Sequence, residues 1–406
     1  MKCRGCNNTL SLTFLNLGLS PIANNLLDLA ELKLEETFYP LHARTCSNCA
    51  LVQLPEIASR EDLFRGDYVY YSSYSTSWLI HSEEYAKKMV SKLDLGPTDL
   101  VLEVASNDGY LLQYFQAENV KVLGVEPAAG VANIAIQKGI PTIVDFFGRE
   151  LATRLAVDYQ PKLIVANNVL AHVPDIHDFI AGFSSIIAMD GLITFEFPHL
   201  VDLIKSNFFD TIYHEHYSYL SLTALEPIFS SHELKIIDVE KIATHGGSLR
   251  VFVAKKNSHW ETSDSVNKIV KLESEFDPRT KSVQERLLQN SVNVKNELWD
   301  ELVRLKKEGK VVAAYGAAAK GNTLLNYAGI DSELVQYVVD LNPNKQGKYL
   351  PGSRIPVVGA EYLHQTKPDV LLILPWNLSA EIKVQLSVMV DAGMKLLRAL
   401  PKLEYF

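Results

Sequence analysis

Five consecutive residues, Tyr213 to Tyr217, combine the side chains that proton transfer near neutral pH requires. The imidazole of His216 can accept a proton, the carboxylate of Glu215 can orient that base or balance its charge, and the phenol of Tyr213 can stabilise an enolate. Histidines beside a glutamate could also bind a metal, but the His-Glu-His order lacks the i, i+4 spacing of a helical zinc site. A structural polar loop is the other alternative. We expect a proton-transfer site, with His172 as a further candidate.

The four cysteines form two Cys-x2-Cys pairs near the N-terminus, Cys3 with Cys6 and Cys46 with Cys49. This spacing lets both sulfurs of a pair reach one tetrahedral ion at about 2.3 Å. The gap of 39 residues exceeds that of many zinc ribbons, which predicts a strand or two between the pairs. Unrelated reduced thiols or a redox pair are the alternatives. Because four sulfur ligands leave no open position, we expect a structural rather than a catalytic zinc ion.

Length and composition limit the class of protein. The chain has 406 residues, of which 47% are hydrophobic, and this indicates a soluble globular protein with several domains. Its formal net charge of -9 disfavours nucleic-acid binding, which usually requires a basic surface. The sequence contains neither an apolar run of about 18 residues nor the apolar core of a signal peptide, so it predicts no membrane span and no export. We expect a cytoplasmic protein without a disulfide framework.

Two alternations of short apolar runs with helical stretches predict the elements that position these residues, and the fold class is α/β. The first alternation begins after Asp99 and predicts a parallel sheet with an antiparallel hairpin at its edge. The second begins at Lys310 and predicts a smaller Rossmann-like α/β domain. The expected division is a zinc-binding module over 1–75, a central Rossmann-like domain over 76–256, a helical connector over 257–309 and a second α/β domain over 310–406.

Ligands of doubly wound sheets bind beyond the carboxyl ends of the strands, so the residues that close each strand are informative. After the first strand, Asp108 would repel a pyrophosphate and Gly109 is the only glycine, which disfavours NAD. The second strand ends in Glu126, whose carboxylate can bind two ribose hydroxyls. The third ends in Asp145 and two phenylalanines suited to an adenine. The expected cofactor contacts are Glu103, Ala105, Ser106, Asn107, Asp108, Gly109, Glu126, Pro127, Asp145, Phe146, Phe147, Asn167 and Asn168.

With these strand ends, the sequence resembles class I S-adenosylmethionine-dependent methyltransferases. Over nearly the whole chain it is similar to the sugar C-methyltransferases that act at C-3 of nucleotide-linked 4-keto-6-deoxy sugars, as in the pathways to tetronitrose and mycarose. The segments that carry this resemblance are the four-cysteine module, the tyrosine- and serine-rich stretch 67–75, Leu102–Gly109, Asn168–Pro174, Tyr213–His216, His245–Arg250 and Tyr315–Asn322. The resemblance implies S-adenosylmethionine as cofactor of the central domain and a nucleotide-diphosphate sugar as substrate, held partly by the second α/β domain.

The resemblance also implies roles for single residues. His216 would remove the C-3 proton, which the C-4 ketone makes acidic, and the enolate would attack the cofactor methyl group. Tyr213, Glu215, His172 and Tyr70 would surround the sugar. Gly246 and Gly247, which follow His245, would let a ligand approach the backbone closely, or would simply form a hairpin turn. The expected substrate contacts are Tyr71, His245, Ser248, Arg250, Lys320, Asn322, Lys348, Trp376 and Asn377.

The sequence leaves other functions open. An O- or N-methyltransferase acting on another small metabolite would need no ketone. An NAD(P)-dependent nucleotide-sugar oxidoreductase could use the turn Gly316–Gly321, which has glycines only at its ends and is a weak signal. A docking platform built on the zinc module is disfavoured by the polar strand ends and the Tyr-His-Glu-His cluster. The nucleotide, the sugar stereochemistry and the oligomeric state, with a monomer as one option, are not fixed by the sequence.

Overall fold

The computed structural model describes residues 1–57 and 71–406, so the predicted site residue Tyr70 lies outside the described chain. The N-terminal part forms an antiparallel sheet that includes strands β1 (Leu12–Ser20), β2 (Tyr39–Thr45) and β3 (Val52–Gln53). The first two strands lie between the cysteine pairs, as predicted. Buried and accessible side chains alternate along β2, so this sheet packs one face on the core.

The central domain is built around a seven-stranded sheet whose residues are all described. The predicted parallel strands are confirmed, and so is the antiparallel hairpin at one edge. In spatial order the sheet runs β10-β11-β8-β7-β4-β5-β6. Its strands are β4 (Leu100–Val104), β5 (Lys121–Val125), β6 (Thr142–Ile143), β7 (Leu163–Asn167), β8 (Leu192–Pro198), β10 (Leu234–Ile242) and β11 (Ser248–Lys255).

One short strand within the central sequence belongs to the N-terminal sheet. Strand β9 (Ser218–Tyr219) pairs antiparallel with β3, with Val52 opposite Tyr219 and Gln53 opposite Ser218. This strand directly follows the Tyr213–Tyr217 cluster. The chain that carries the expected base therefore runs straight into the sheet of the zinc-binding module.

Helices flank the central sheet. The first of them is capped by the Ser75 side chain, which accepts a hydrogen bond from the Trp78 N–H, and it ends at Asp94 in a left-handed conformation. Among the described residues, none of the helices combines the length and the apolar character that a membrane crossing would require. The helices are α1 (Thr76–Leu93), α2 (Leu112–Ala117), α3 (Ala129–Gln137), α4 (Arg149–Leu155), α5 (Ile176–Ile186), α6 (Leu200–Ser206) and α7 (Leu222–Ser231).

Two helices, α8 (Asp264–Glu275) and α9 (Lys281–Lys307), lead to a second sheet in the order β14-β13-β12-β15-β16-β17. Neighbouring strands are parallel except at β17, so the predicted second α/β domain is confirmed. Its elements are β12 (Val312–Tyr315), α10 (Ala319–Ala328), β13 (Val338–Val339), β14 (Val357–Val358), α11 (Glu361–Thr366), β15 (Val370–Ile373), α12 (Ser379–Gln385), α13 (Ser387–Asp391), β16 (Lys395–Arg398) and β17 (Glu404–Tyr405).

The long helix α9 joins the parts of the protein through one apolar stripe. Its buried residues recur every three or four positions, from Val283 and Leu287 to Leu302 and Leu305. They belong to one continuous core that also contains Phe14 of β1, residues of α6 and the strands of the second α/β domain. Helix α9 therefore packs the N-terminal sheet, helix α6 and the second α/β domain into one core.

Candidate active site and metal centre

The four cysteine sulfurs lie together, as predicted. All four lie within 4.8 Å of one another, with Cys3 Sγ 3.6 Å from Cys49 Sγ and Cys6 Sγ 3.4 Å from Cys46 Sγ. Hydrogen bonds from Cys49 and from the Gln53 amide lower the pKa of the Cys3 thiol, and the same bond to Cys3 raises the pKa of Cys49, so Cys3 is the thiol of this pair that ionises first. Four sulfurs at this separation fit one tetrahedral zinc ion and leave no position open for catalysis.

The loop after β4 carries many of the predicted cofactor contacts. Ala105, Asn107 and Gly109 have positive φ angles, so the backbone turns sharply at the carboxyl edge of the sheet. Glu126, at the end of the neighbouring β5, accepts hydrogen bonds from the N–H groups of Asn107 at 3.0 Å and Ala128 at 2.8 Å. Burial raises the pKa of Glu126 to about 7 in spite of these donors. The carboxyl group thereby fixes the loop in place.

Several buried polar atoms at this edge have no hydrogen-bond partner among the described residues. They are Ser106 Oγ, Asp108 Oδ1, Asn167 Oδ1 and Asn168 Oδ1. An unsatisfied buried polar atom costs about 1–3 kcal/mol, so a polar ligand or water is expected beside them. Glu103, in β4, is fully buried, and burial raises its pKa well above the ordinary value. This edge therefore offers several unsatisfied polar atoms to a ligand.

The end of the third strand differs in part from the prediction. Asp145 forms a surface ion pair with Arg154, with an Oδ2–Nη2 distance of 2.9 Å. Phe147 is buried, and its ring centroid lies 4.8 Å from that of Phe183, so it belongs to the core and cannot stack on an adenine as predicted. The side chains of Phe146 and of Pro127, which follows the second strand, are partly exposed, so both stay available as predicted cofactor contacts.

His216 is held in one defined tautomer. Its Nδ1–H donates to the Thr211 carbonyl at 2.9 Å, so the lone pair lies on Nε2, which accepts the Tyr213 hydroxyl at 2.7 Å. The His172 ring centroid is 4.6 Å from that of His216, and its Nδ1–H donates to the Glu215 carbonyl at 2.7 Å. Burial lowers the pKa of His216 well below its ordinary value and that of His172 to about 4. Both imidazoles are therefore neutral at pH 7.

Glu215 has another position than the one predicted for an orienting carboxylate. Its Oε1 accepts a hydrogen bond from the Asn24 N–H at 3.0 Å, and its side chain is buried. Burial also raises the pKa of Glu215. The side chain anchors the segment 211–219, here called the catalytic segment because it carries the expected base, to the N-terminal module, while its backbone carbonyl orients His172.

Arg4, between the first two cysteines, also links the zinc module to the catalytic segment. Its guanidinium donates to the carbonyl oxygens of Pro174 at 3.2 Å and Leu54 at 3.0 Å, and also to that of Tyr217. The guanidinium lies 5.4 Å from the centre of the Tyr217 ring. Sequence reasoning missed this residue, and its place next to a predicted metal ligand was the one available signal.

The second α/β domain reaches the site through the turn after β15. The Trp376 indole N–H donates to Asp210 Oδ2 at 2.7 Å, and its ring centroid is 3.8 Å from that of Phe208. Trp376 is 6% exposed, so it is an interface residue and not the predicted substrate contact. Lys320, in the first turn of α10, places Nζ 2.6 Å from Asn377 Oδ1. Lys320 and Asn377 both keep accessible surface.

The hairpin loop between β10 and β11 completes the site. His245 Nε2 lies 3.3 Å from Asn168 Nδ2, and burial lowers the pKa of His245 to about 4. A Cβ atom on Gly246 would come within 2.5 Å of Trp376. Gly246 therefore lacks a side chain because Trp376 packs against its backbone. The structure shows a protein side chain, and not a ligand, at the position where a close ligand approach was predicted.

Other predicted substrate contacts are already engaged within the protein. Arg250 is 4% exposed and donates from Nη2 to Glu196 at 2.8 Å, so its charge is balanced and not available to a diphosphate. Lys348 lies at the surface, 3.6 Å from Asp28. The remaining three are Ser248, which donates to the Thr244 carbonyl, Asn322, which donates to the Ala23 carbonyl, and Tyr71, whose ring packs beside that of Tyr74.

The proteins similar to this chain are methyltransferases. Family models match 3–64 ("Putative zinc binding domain"), 81–239 ("Methyltransferase domain") and 243–401 ("C-methyltransferase C-terminal domain"). C-methyltransferase NovU of Streptomyces niveus is 36% identical over 386 residues, which cover 94% of this chain and 91% of NovU. Magnesium protoporphyrin IX methyltransferase of Synechocystis PCC 6803, solved with bound SAM, is 14% identical over 43% of this chain and 80% of its own, with a TM-score of 0.33.

The chain belongs to the S-adenosylmethionine-dependent C-methyltransferases. Its cofactor is S-adenosylmethionine, and the four-cysteine cluster is its zinc site. The unsatisfied polar atoms fit this cofactor, because its amino-acid part can satisfy Ser106, Asp108 and the two asparagines, while Glu126 can accept the ribose hydroxyls. When bound, the cofactor supplies an electrophilic methyl group.

In this C-methyltransferase, the turn after β12 does not favour the NAD(P) alternative. A Cβ atom on Gly316 would come within 2.5 Å of Pro375, and one on Gly321 within 2.6 Å of Leu374. Packing inside the second α/β domain therefore explains both glycines. Asp340 Oδ2 accepts a backbone N–H of the same turn at 2.8 Å, which places a carboxylate where a dinucleotide phosphate would be repelled.

Proposed function

We propose that the protein methylates C-3 of a nucleotide-linked 4-keto-6-deoxy sugar and that His216 is the base. The observation that carries this proposal is the fixed tautomer of His216, whose Nδ1–H is held by Thr211 so that Nε2 can accept a proton. A neutral imidazole is the form that a base requires. The similarity to a C-methyltransferase over nearly the whole chain supports a carbon atom as methyl acceptor.

A carbon acceptor explains why the site contains a base. A sugar C–H bond becomes acidic enough for an imidazole only when a carbonyl is adjacent. In the proposed step, the C-3 proton moves to His216 Nε2 and the electrons of the C–H bond form the enolate. The Tyr213 hydroxyl, which donates to Nε2 in the resting site, gives up that hydrogen bond as substrate binds and can then donate to a sugar oxygen. Such a base contributes about 10²–10⁴-fold to the rate.

The substrate would lie between the central domain and the second α/β domain. Several polar side chains deep in this region keep accessible surface, which is expected for groups that line a cleft. They come from both domains and are His172, Tyr213, His216, His245, Lys320 and Asn377. We propose that the sugar contacts the histidines and Tyr213, and that the nucleotide extends towards Asn377.

The direct test is to incubate the protein with methyl-labelled S-adenosylmethionine and a panel of nucleotide-linked 4-keto sugars, and to locate the label by mass spectrometry and NMR. We expect methylation at C-3. Label on an oxygen or nitrogen of the product, or no product from any keto sugar, would contradict the proposed substrate.

The role of the base is tested with His216→Ala, using His259→Ala on the exposed surface as the matched control. We expect His216→Ala to bind S-adenosylhomocysteine normally and to lose at least 100-fold in turnover, because the base is gone. It should also lose the cofactor-independent exchange of the C-3 hydrogen with D2O. Turnover or exchange close to that of the control would remove His216 from the mechanism.

A further inference from the structure

Lys320 stands apart from the other lysines of the protein. It lies in the first turn of α10, directly after the turn that follows β12. Its Nζ is 2.6 Å from Asn377 Oδ1 and 4.5 Å from the centre of the Trp376 ring. Both partners belong to the turn after β15, so two loops of the second α/β domain present this ammonium group to the site.

The buried carboxylate of Asp210 acts on the charge of Lys320, but the two groups form no direct ion pair. In the described ranges 1–57 and 71–406, no acidic oxygen lies within 4.0 Å of Lys320 Nζ, and Asn377 is its one hydrogen-bond acceptor. A protonated amine has three N–H donors. Burying an ammonium group without a direct ion pair costs several kcal/mol, so a ligand oxygen that accepts one of the remaining donors would stabilise it.

The ammonium group also acts on the proposed base. Burial is the main cause that lowers the pKa of His216 and of His245, and the positive charge of Lys320 lowers both further. Trp376, against which Lys320 packs, donates to Asp210 in the turn that precedes the catalytic segment. Direct contacts thus connect Lys320, through Trp376 and Asp210, to the segment that carries His216. Lys320 is also partly exposed, so a ligand can contact it.

We infer that Lys320 is a catalytic residue that donates a hydrogen bond to the C-4 oxygen of the sugar while the enolate forms. This inference rests on the proposed function. In this step the C-3–H bond breaks and the proton goes to His216 Nε2. The electron pair of that bond forms the C-3=C-4 double bond, and the carbonyl π pair moves to the C-4 oxygen. Lys320 keeps its proton throughout. A cation beside this oxygen stabilises the charge that develops there.

The competing roles predict other results. A lysine that bound the diphosphate would hold substrate and transition state equally, so its removal would raise KM and leave kcat intact. A purely structural lysine would affect folding and cofactor binding along with turnover. An enolate-stabilising lysine should affect kcat and hydrogen exchange at C-3 together, because both pass through the same charged oxygen.

The test compares Lys320→Met with Lys320→Arg, and uses Lys307→Met on the exposed face of α9 as the matched control. Steady-state kinetics, C-3 exchange in D2O with S-adenosylhomocysteine bound, and calorimetry with S-adenosylhomocysteine are measured for each. We expect Lys320→Met to lose about 10²–10³-fold in kcat and in exchange, with cofactor affinity unchanged. Lys320→Arg should recover part of both rates.

The pH profile adds an independent readout. Burial lowers the pKa of Lys320 to about 8, while Asp210 opposes this shift, and His216 and His245 are the other titratable groups that face it. The cation is present below about pH 8 and is lost as the pH rises through that value, so wild-type turnover should fall there. In Lys320→Arg the fall should move to higher pH, because a guanidinium stays protonated.

Three results would overturn the inference: a raised KM with kcat preserved, C-3 exchange in Lys320→Met at the level of the control, or an alkaline fall in turnover that is the same in Lys320→Arg. Failure of the proposed function is distinguishable, because the wild-type protein would then neither exchange nor methylate any keto sugar.

Discussion

Replacement of Arg4 by methionine should slow methyl transfer by about 100-fold, with zinc content and cofactor binding unchanged. Arg4 donates to carbonyl oxygens in three segments, namely Leu54 after β3, Pro174, and Tyr217 next to His216. A hydrogen bond that involves a charged group contributes about 1.5–3 kcal/mol. Three such bonds are not additive, because water can reach the carbonyls once the guanidinium is removed. We expect a loss of about 3 kcal/mol of restraint on the catalytic segment.

The consequence for catalysis follows from the position of this segment. A base that is misplaced by about 1 Å can cost about 10²-fold in rate even when substrate still binds. The cofactor loop should not be affected, since Glu126 holds it through the N–H groups of Asn107 and Ala128. The thiols also remain, so the protein should still contain one zinc ion per chain.

The assay combines steady-state kinetics, calorimetry with S-adenosylhomocysteine, metal analysis and hydrogen exchange of the backbone amides of 211–219. Arg279→Met is the matched control, because Arg279 also contacts the zinc module, through the Asn48 carbonyl at 3.4 Å, but does not reach the catalytic segment. Arg4→Met should show faster exchange in that segment, and the control should not. The reasoning is refuted if kcat stays within threefold of wild type, or if zinc is lost in parallel with activity.

Three further predictions follow from the same contacts. Removal of zinc with a chelator should unfold the N-terminal sheet, because structural zinc supplies about 10–16 kcal/mol in small domains, and S-adenosylhomocysteine should still bind. Far-UV circular dichroism measures the loss of structure, and calorimetry measures the binding. An unchanged spectrum after chelation would contradict this prediction. Trp376→Phe removes the hydrogen bond to Asp210 and should lower the free energy of unfolding in urea by about 1–3 kcal/mol, so an unchanged unfolding curve would count against that bond. Glu126→Gln places an amide N–H against a backbone donor and should weaken S-adenosylhomocysteine binding at least tenfold by calorimetry, whereas wild-type affinity would show that the carboxylate does not hold the cofactor loop.

The sequence predicts those parts of the fold that local patterns determine. Short apolar runs such as Leu100–Val104, in which every residue after Leu100 is buried, form parallel strands, and their period and flanking residues are visible in one sequence. The cysteine spacing likewise predicts a metal cluster without knowledge of the fold. The order of strands in space and the domain that each loop faces depend on tertiary packing, which a single sequence does not record.

The misplaced predictions share this cause. Arg250 and Trp376 have side chains suited to a ligand, but the fold gives each of them a protein partner, Glu196 and Asp210 respectively. Composition alone cannot show that a charge is balanced from a distant strand. Arg4 was missed for the converse reason, because its partners lie far away in the sequence and nothing local distinguishes it from a spacer residue.

The pairing of β3 with β9 makes the zinc module dependent on a stretch of chain that is synthesised much later. A fragment that ends before Ser218 would leave β3 as an open edge, which is a template for aggregation. Exchange of this module between relatives should therefore succeed only when the matching two-residue strand is transplanted with it. The N-terminal unit therefore depends on the catalytic segment for one strand of its sheet.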